Sequence, residues 1–367
     1  MSITILGDIC PARLVEISDK GVVCKDLLST LSKSYVVANL EAPIADKLNE
    51  ELDHLVFQGK AEFLDQLKFV DMFCLSNNHI NDLGDNGIEH TFDSLNTRGF
   101  SHNGIFTSQY SPGTFGNVSF IFASDMMNVP FESDSAFKYL YMFSEQVDSI
   151  VADEANKGRF VVLYLHTGLL FCRLPSPKIR ERIYQLIDSG AGLVVTTHSH
   201  CFGAVEEYGQ SVICYNLGDF LMDGQSMRRR RSMALEFFPP NVDREPLTYN
   251  IRFLENRDFH VSEASGITKL RCQLSFWSCR VLLKLPLSVY SALFNFIYRI
   301  SIISHVTSTL AFILRSRGIK GTLAVLSRRK DEVLRYFSWI GRDRRESSTD
   351  YDAIESDRKK VTTRELR

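Results

Sequence analysis

The chain has 367 residues, 44% of them apolar, with 42 Lys+Arg against 44 Asp+Glu. That is too apolar for a disordered chain, there is no Gly-X-Y period for a collagen, and eight cysteines are too few for a secreted disulfide scaffold. The net charge of −2 hides an asymmetry: residues 1–264 carry 22 basic and 35 acidic side chains, residues 265–346 carry 15 and 4, and the last 21 residues carry five of each.

In chain order, runs dense in Val, Ile, Phe and Tyr mark strands at 2–6, 35–38, 72–75, 118–123, 160–165, 193–197, 211–215 and 233–238. Helical stretches are expected near 60–68, 88–97, 145–156 and 177–189, with Gly99 and Gly190 as C-terminal stops. Strand–helix alternation predicts an α/β architecture with a largely parallel sheet, and a run such as "FVVLYL" predicts a strand covered on both faces. The organisation read from composition is a body over 1–264, closing at "SEASG", a basic apolar helical extension over 265–346, and a polar, disordered tail over 347–367.

The cysteines form no C-x-x-C pair and several sit in apolar runs, as buried reduced thiols do. The opening "MSITILGDIC" has no basic n-region and no long apolar h-region, so the body is expected in the cytoplasm. Within 276–320, 14 uncharged residues (285–298) and 15 more (300–314) are separated by Arg299; each run is short of the roughly 18 residues of a spanning candidate. Ser288, Ser291, Asn295 and Arg299 form a polar stripe, flanked by Arg280, Lys284, Arg315, Arg317 and Lys320. Peripheral contact with the inner membrane face, packing on the body or a partner, and a true span all fit this pattern.

The polar residues that follow the strands carry the functional signal. Asp8 follows the first strand, Asn39 and Glu41 the second, and Asn77, Asn78 and His79 the third; His166 and then His198 and His200 follow later ones. In open α/β sheets, sites form beyond the carboxyl ends of strands. A metal cage needs oxygen and imidazole ligands converging from separate strands, and this set supplies them. Taken singly, Asp8 also reads as a helix N-cap, Asn77 and Asn78 as turn residues, and His-x-His as an ordinary loop. Arg173, Lys178, Arg180 and Arg182 either line an anionic cleft or form a solvated helix face. Arg228–Arg231 reads as an exposed basic loop or an anion site. The acidic body lacks the basic footprint of a nucleic-acid binder.

The segments "ILGDI", "NLEAPI", "SNNHINDLGDNGIEHTFDSLNTRGF", "VVLYLHTG" and "LIDSGAGLVVTTHSHCFGAVEEYGQSVICYNLGDFLMD" resemble, in order, the motifs of the bacterial capsule-synthesis CapA family, the poly-γ-glutamate capsule group related to calcineurin-like metallophosphoesterases. The resemblance covers roughly residues 3–224. It implies a four-layer α/β/β/α sandwich with one or two divalent ions (Mn, Zn, Fe or Mg) at the strand ends. It implies Asp8, Glu41, Asn78, His166, His198 and His200 as ligands, Glu41 in the bridging place, and His79 as general acid. Asp82 joins His79 in the catalytic set and, with Gly84, shapes the loop. Asn39, Asn77 and Arg173 are expected to bind substrate. Three positions depart from the pattern: Cys10 replaces the His of Asp-x-His, Leu170 the Glu of His-Trp-Gly-x-Glu, and Asp219 the Asn of Gly-Asn-Phe.

The functions implied are a metal-dependent hydrolase or transferase in cell-surface polymer synthesis acting on an anionic polymer or phosphoester, a non-catalytic assembly factor at the membrane surface with a degraded site, or a general metallophosphoesterase.

Overall fold

A computed structural model describes residues 1–12, 21–49, 56–222, 230–240 and 247–328. In chain order its elements are β1 (Ser2–Ile9), α1 (Lys25–Leu31), β2 (Ser34–Leu40), β3 (Ile44–Ala45), β4 (Gly59–Lys60), a 3₁₀ turn (Ala61–Leu67), β5 (Met72–Cys74), α2 (Gly84–Thr97), β6 (Ser101–Asn103), β7 (Ile105–Phe106), β8 (Gly113–Phe115) and β9 (Val118–Ser124). There follow β10 (Lys138–Tyr139), α3 (Glu145–Asn156), β11 (Phe160–His166), α4 (Pro177–Asp188), β12 (Ala191–Thr197), β13 (Val205–Tyr208), β14 (Ser211–Cys214), β15 (Asp219–Leu221), β16 (Arg231–Phe238), β17 (Thr248–Arg257), β18 (His260–Glu263), α5 (Gly266–Leu283) and α6 (Leu287–Arg328).

The apolar runs become the central strands of two sheets. One has the order β18-β17-β16-β1-β2-β5-β6 with β15 beside β1; the other has the order β13-β14-β12-β11-β9-β8. Pairing is parallel through β1, β2, β5 and β6, and through β9, β11, β12 and β14. Strands β16, β17 and β18 extend the first sheet antiparallel, and β8 and β13 close the edges of the second. The architecture is mixed α/β.

The sheets face each other across one apolar cluster. Ile3, Ile5 and Val37 of the first meet Phe120, Phe122, Val162 and Val195 of the second. Tyr164 crosses this layer and donates its hydroxyl proton to the Leu6 carbonyl at 2.7 Å, so a buried polar tip is satisfied where the sheets meet. The opposite face of the first sheet packs Leu6, Val36 and Leu40 against Leu27, Phe63, Ile88 and Leu95 from α1, the 3₁₀ turn and α2. Helices α3 and α4 lie along β11 and β12. Helices packed on these parallel strands are why the strands read as continuous apolar runs.

Several expected boundaries shift. The stretch at 60–68 forms a 3₁₀ turn, and the helix expected from 88 begins at Gly84. Gly99 and Gly190 follow α2 and α4 at φ 77° and 123°, the left-handed positions that end helices. Pro177 stands at the start of α4, where Ser176 caps it by accepting from the Ile179 amide at 3.3 Å.

The described residues up to Phe294 make one compact unit and those from Asn295 onward another. Helix α5 and the start of α6 therefore share the unit that holds the sheets. Cys272 of α5 is buried in the inter-sheet cluster, Phe276 meets Phe253 edge-on at 5.7 Å, and Tyr290 donates to the Pro175 carbonyl at 2.5 Å. The charge boundary at 264 and the packing boundary at 294 are different positions. Among the described residues one stretch, Leu287–Ser304, is long and apolar enough to cross a membrane by length and composition, with mean hydropathy 1.3. All eight cysteines are free, and all but Cys24 are buried. The tail 347–367, the last part of the 265–346 segment, and Arg228 and Arg229 of the arginine run lie outside the described residues.

Candidate metal centre

The first sheet brings three polar side chains together through a close backbone approach. A Cβ on Gly7 would lie 1.8 Å from the Gly218 carbonyl oxygen, so only glycine lets β1 run this close to the segment entering β15. Asp8 then sits in register with Asp219 of β15 on one side and Asn39 of β2 on the other. A register shift in β1 between Ile5 and Asp8 accompanies this placement, as bulges do where a strand re-aims a side chain. Glu41 follows directly, its amide donating to the Ile9 carbonyl at 2.8 Å.

The second sheet delivers the imidazoles. His166 ends β11 in register with Ser124 and Thr197, and His198 and His200 follow β12. Both of the latter have left-handed backbone, φ 95° and 57°, which residues with a Cβ rarely adopt. Strained backbone of this kind clusters at ligand clamps and active sites.

These groups converge. His198 Nδ1 lies 3.1 Å from His166 Nε2, which is 2.6 Å from Asn78 Oδ1 and 3.6 Å from Glu41 Oε1. The His198 amide donates to Asp8 Oδ2 at 3.2 Å, and His200 Nδ1 lies 2.8 Å from Asp219 Oδ1. Two donor groups result, Glu41–His166–His198 and Asp8–Glu41–His200, each with its ligand atoms within 4.8 Å of one another. They share Glu41.

Asp8, Glu41, His166 and Asp219 are fully buried, and His198 nearly so. Burial and then the neighbouring Asp219 push the Asp8 carboxyl up to about 6, against the opposing pull of His200, Asn39 and the His198 amide. Burial, followed by His200 and His79, holds His166 well below the usual imidazole value. Carboxylates and neutral imidazoles gathered in the interior are costly without a cation. Ligands about 2.1 Å from one ion stand roughly 3.0–3.4 Å apart, so the donor chemistry and the short contacts both suit a divalent metal.

Beside this cluster stands a second arrangement. His79 Nδ1 lies 2.7 Å from Asp82 Oδ2, which also accepts from the Phe57 amide at 2.7 Å. The Phe57 ring stacks on the imidazole at 3.6 Å and 4°. Asn128 Nδ2 stands 3.2 Å from His79 Nε2, and the Asn128 amide donates to the Asn78 carbonyl at 2.9 Å. The imidazole plane is therefore set by a ring on its face and a carboxylate at its edge.

Not every expected residue faces the cluster. Asn39 donates to Asp8 Oδ1 at 2.7 Å, and Asn77 donates to Asn39 Oδ1 at 3.0 Å and the Leu40 carbonyl at 2.8 Å. With their amides so engaged, these two orient a carboxylate and sit within the cluster's framework. The Arg173 guanidinium lies 5.0 Å over the Phe202 ring, and its charge is felt by Cys272 and Cys279 of α5. Arg180 and Arg182 are neither cleft lining nor solvated. Arg180 is buried against Glu206 and the Leu283 carbonyl, and Arg182 against Asp148 at 2.7 Å and the Met142 carbonyl at 2.9 Å. Asp8 caps no helix, because its carboxylate accepts from Asn39 and His198.

Asp219, in sequence only a departure from a motif, is the third buried carboxylate of the cluster. Phe57 and Asn128 carried no signal, since each meets His79 from a distant loop. Cys10 packs with Ala12, Ala42, Phe57 and Met222, an apolar setting beneath the His79 stack.

A family profile described as "Bacterial capsule synthesis protein PGA_cap" matches residues 2–224, the whole stretch that builds this cluster. The chain belongs to that family. It is 24% identical over 258 residues to a capsule biosynthesis protein CapA of Bacillus anthracis, covering 64% of this chain and 62% of that one. It is 24% identical over 253 residues to a PGA biosynthesis protein CapA of Bacillus subtilis (strain 168), covering 64% and 66%. The match thus spans less than two thirds of either CapA relative. A solved structure of a hypothetical protein from Thermus thermophilus aligns over 70% of this chain and 100% of its own, at 11% identity and a TM-score of 0.38. For this PGA_cap member, the motif segments and the geometric cluster are the same residues.

Proposed function

We propose that this PGA_cap protein is a metal-dependent hydrolase or transferase acting on an anionic polymer or a phosphoester intermediate in capsule or poly-γ-glutamate synthesis. The observation that carries the reading is the pair of donor groups sharing Glu41, set beside the His79–Asp82 pair at the carboxyl ends of the strands. The facing sheets with helices on both outer surfaces support a four-layer α/β/β/α arrangement of the metallophosphoesterase kind.

Asp8, Glu41, Asn78, His166, His198 and His200 would hold one or two divalent ions, with Mn, Fe or Zn favoured by the imidazole content. A bound ion of this type lowers the pKa of water and offsets charge on a phosphoryl or carbonyl oxygen. The remaining work falls to the chain. Asp82 accepts from Nδ1–H of His79 and steadies the imidazolium form, whose Nε2–H would be the proton passed to a leaving atom. The Phe57 stack holds that ring plane, and Asn39 keeps Asp8 turned inward.

Purified protein incubated with Mn should turn over a generic phosphoester or a poly-γ-glutamyl peptide, and His79→Ala should abolish turnover without removing metal. Turnover of simple phosphoesters alone would assign a general phosphoesterase. Metal-loaded protein inert toward both classes would favour a second reading, a non-catalytic assembly factor. Leu170 and Cys10 support that reading, because they stand where the family pattern has Glu and His, and Cys10 lies in an apolar cluster.

A further inference from the structure

Helix α5 is apolar on two opposite faces. Thr268, Cys272, Cys279 and Leu283 are buried against the body. Ile267, Leu270, Leu274, Trp277 and Val281 recur at helical spacing on the other side, each between 43% and 66% exposed. A helix of a water-soluble surface would be polar there, and a contiguous apolar stripe marks an interaction face. Lys269, Arg271 and Lys284, all exposed, flank the stripe on both edges by helical geometry. Helix α6 repeats the pattern with Val289, Leu293, Phe296, Ile300 and Ile303 exposed.

The chemistry of the partner follows from charge. From Ser265 to Lys330 there is no Asp or Glu, against 11 Lys and Arg. A second copy pairing through this face would bring like charges together, whereas an anionic bilayer meets all three features: an apolar strip, a Trp at its centre and cations along its edges.

We infer that α5 lies in the plane of an anionic membrane, with the Ile267–Val281 stripe in the headgroup–acyl boundary and Lys269, Arg271 and Lys284 on lipid phosphates. The inference is independent of the metal chemistry. It gives a protein of polymer synthesis a fixed station at a membrane surface.

The test uses the full chain with Trp339→Phe, which leaves Trp277 as the sole indole. Vesicles of phosphatidylcholine with about 30% phosphatidylglycerol should shift Trp277 emission to the blue, and lipids brominated on the upper acyl chain should quench it. Pure phosphatidylcholine should do so only weakly. Lys269→Gln with Arg271→Gln should lower partitioning by roughly tenfold or more, at about fivefold per cation. Leu270→Glu with Leu274→Glu should abolish the shift while the far-ultraviolet circular dichroism stays unchanged. Trp277 emission indifferent to anionic vesicles would overturn the inference. So would quenching equal on neutral vesicles and untouched by the Gln variants, or a dimer in sedimentation that Leu274→Glu dissolves, which would make a second copy the occupant.

Discussion

Asp219 Oδ1 lies 2.8 Å from His200 Nδ1, and the same residue stands in register with Asp8 across the β1–β15 pairing. It therefore meets two members of one donor group, Asp8 and His200. As a carboxylate on the far nitrogen of an imidazole it fixes which nitrogen faces the cluster, and as a neighbour of Asp8 it adds negative charge that only a cation offsets.

Asp219→Asn restores the amide of the family pattern and removes that charge. Metal affinity should fall by roughly 10- to 100-fold, measured by competition with a chelating dye, with the melting temperature of the metal-free protein unchanged or raised. Unaltered affinity would deny Asp219 a part in holding metal.

Asp82→Asn leaves the His79 ring under Phe57 but withdraws the carboxylate that orients it. Turnover should drop by about 10²- to 10⁴-fold with metal content intact. Equal loss of metal and activity would place Asp82 in the cage instead.

Gly7→Ala puts a methyl group into the Gly218 carbonyl, 1.8 Å away. Strands β1 and β15 must part, at a cost of roughly 3 kcal/mol or more, and Asp8 moves off Asp219. A thermal melt should fall together with metal content. A variant of unchanged stability would mean that β1 and β15 tolerate separation.

Glu154 gives the pH dependence away from the cluster. Burial raises its pKa, but Lys157 at 2.6 Å, the Ser119 hydroxyl and Arg159 outweigh burial and leave it below the ordinary carboxylate value. Its stabilisation is therefore full above the unfolded-state pKa and is lost as pH falls through the lower folded value. Glu154→Gln should cost about 1–2 kcal/mol near neutrality and flatten denaturant stability between neutral pH and the acid range. An identical pH slope in wild type and variant would contradict the pairing.

The strand ends were legible because Asp8, Glu41, Asn78, His166, His198 and His200 each follow a run whose composition marks a buried strand. Position beyond a parallel strand is enough to bring such groups together. Partnerships that depend on long loops were not legible. Arg180 finds Glu206 and Arg182 finds Asp148 only after the chain has folded back, so both look like a solvated helix face in sequence. Strand β17 carries no such signal because Thr248–Arg257 lies half exposed and holds six polar residues against four apolar ones. Helix α5 falls in the segment expected as a basic apolar helical extension, but its two apolar faces cancel in any single-stripe reading. Asp219 escaped because a motif comparison registers the missing asparagine, while its worth lies in the contact with His200.

Elemental analysis of purified wild type and His198→Ala tests the metal centre most directly. Wild type is expected to hold one to two equivalents of a divalent transition metal, and His198→Ala to hold less than half of that with the same circular dichroism. Wild type that is folded and free of metal, even after incubation with excess Mn or Zn, would contradict it.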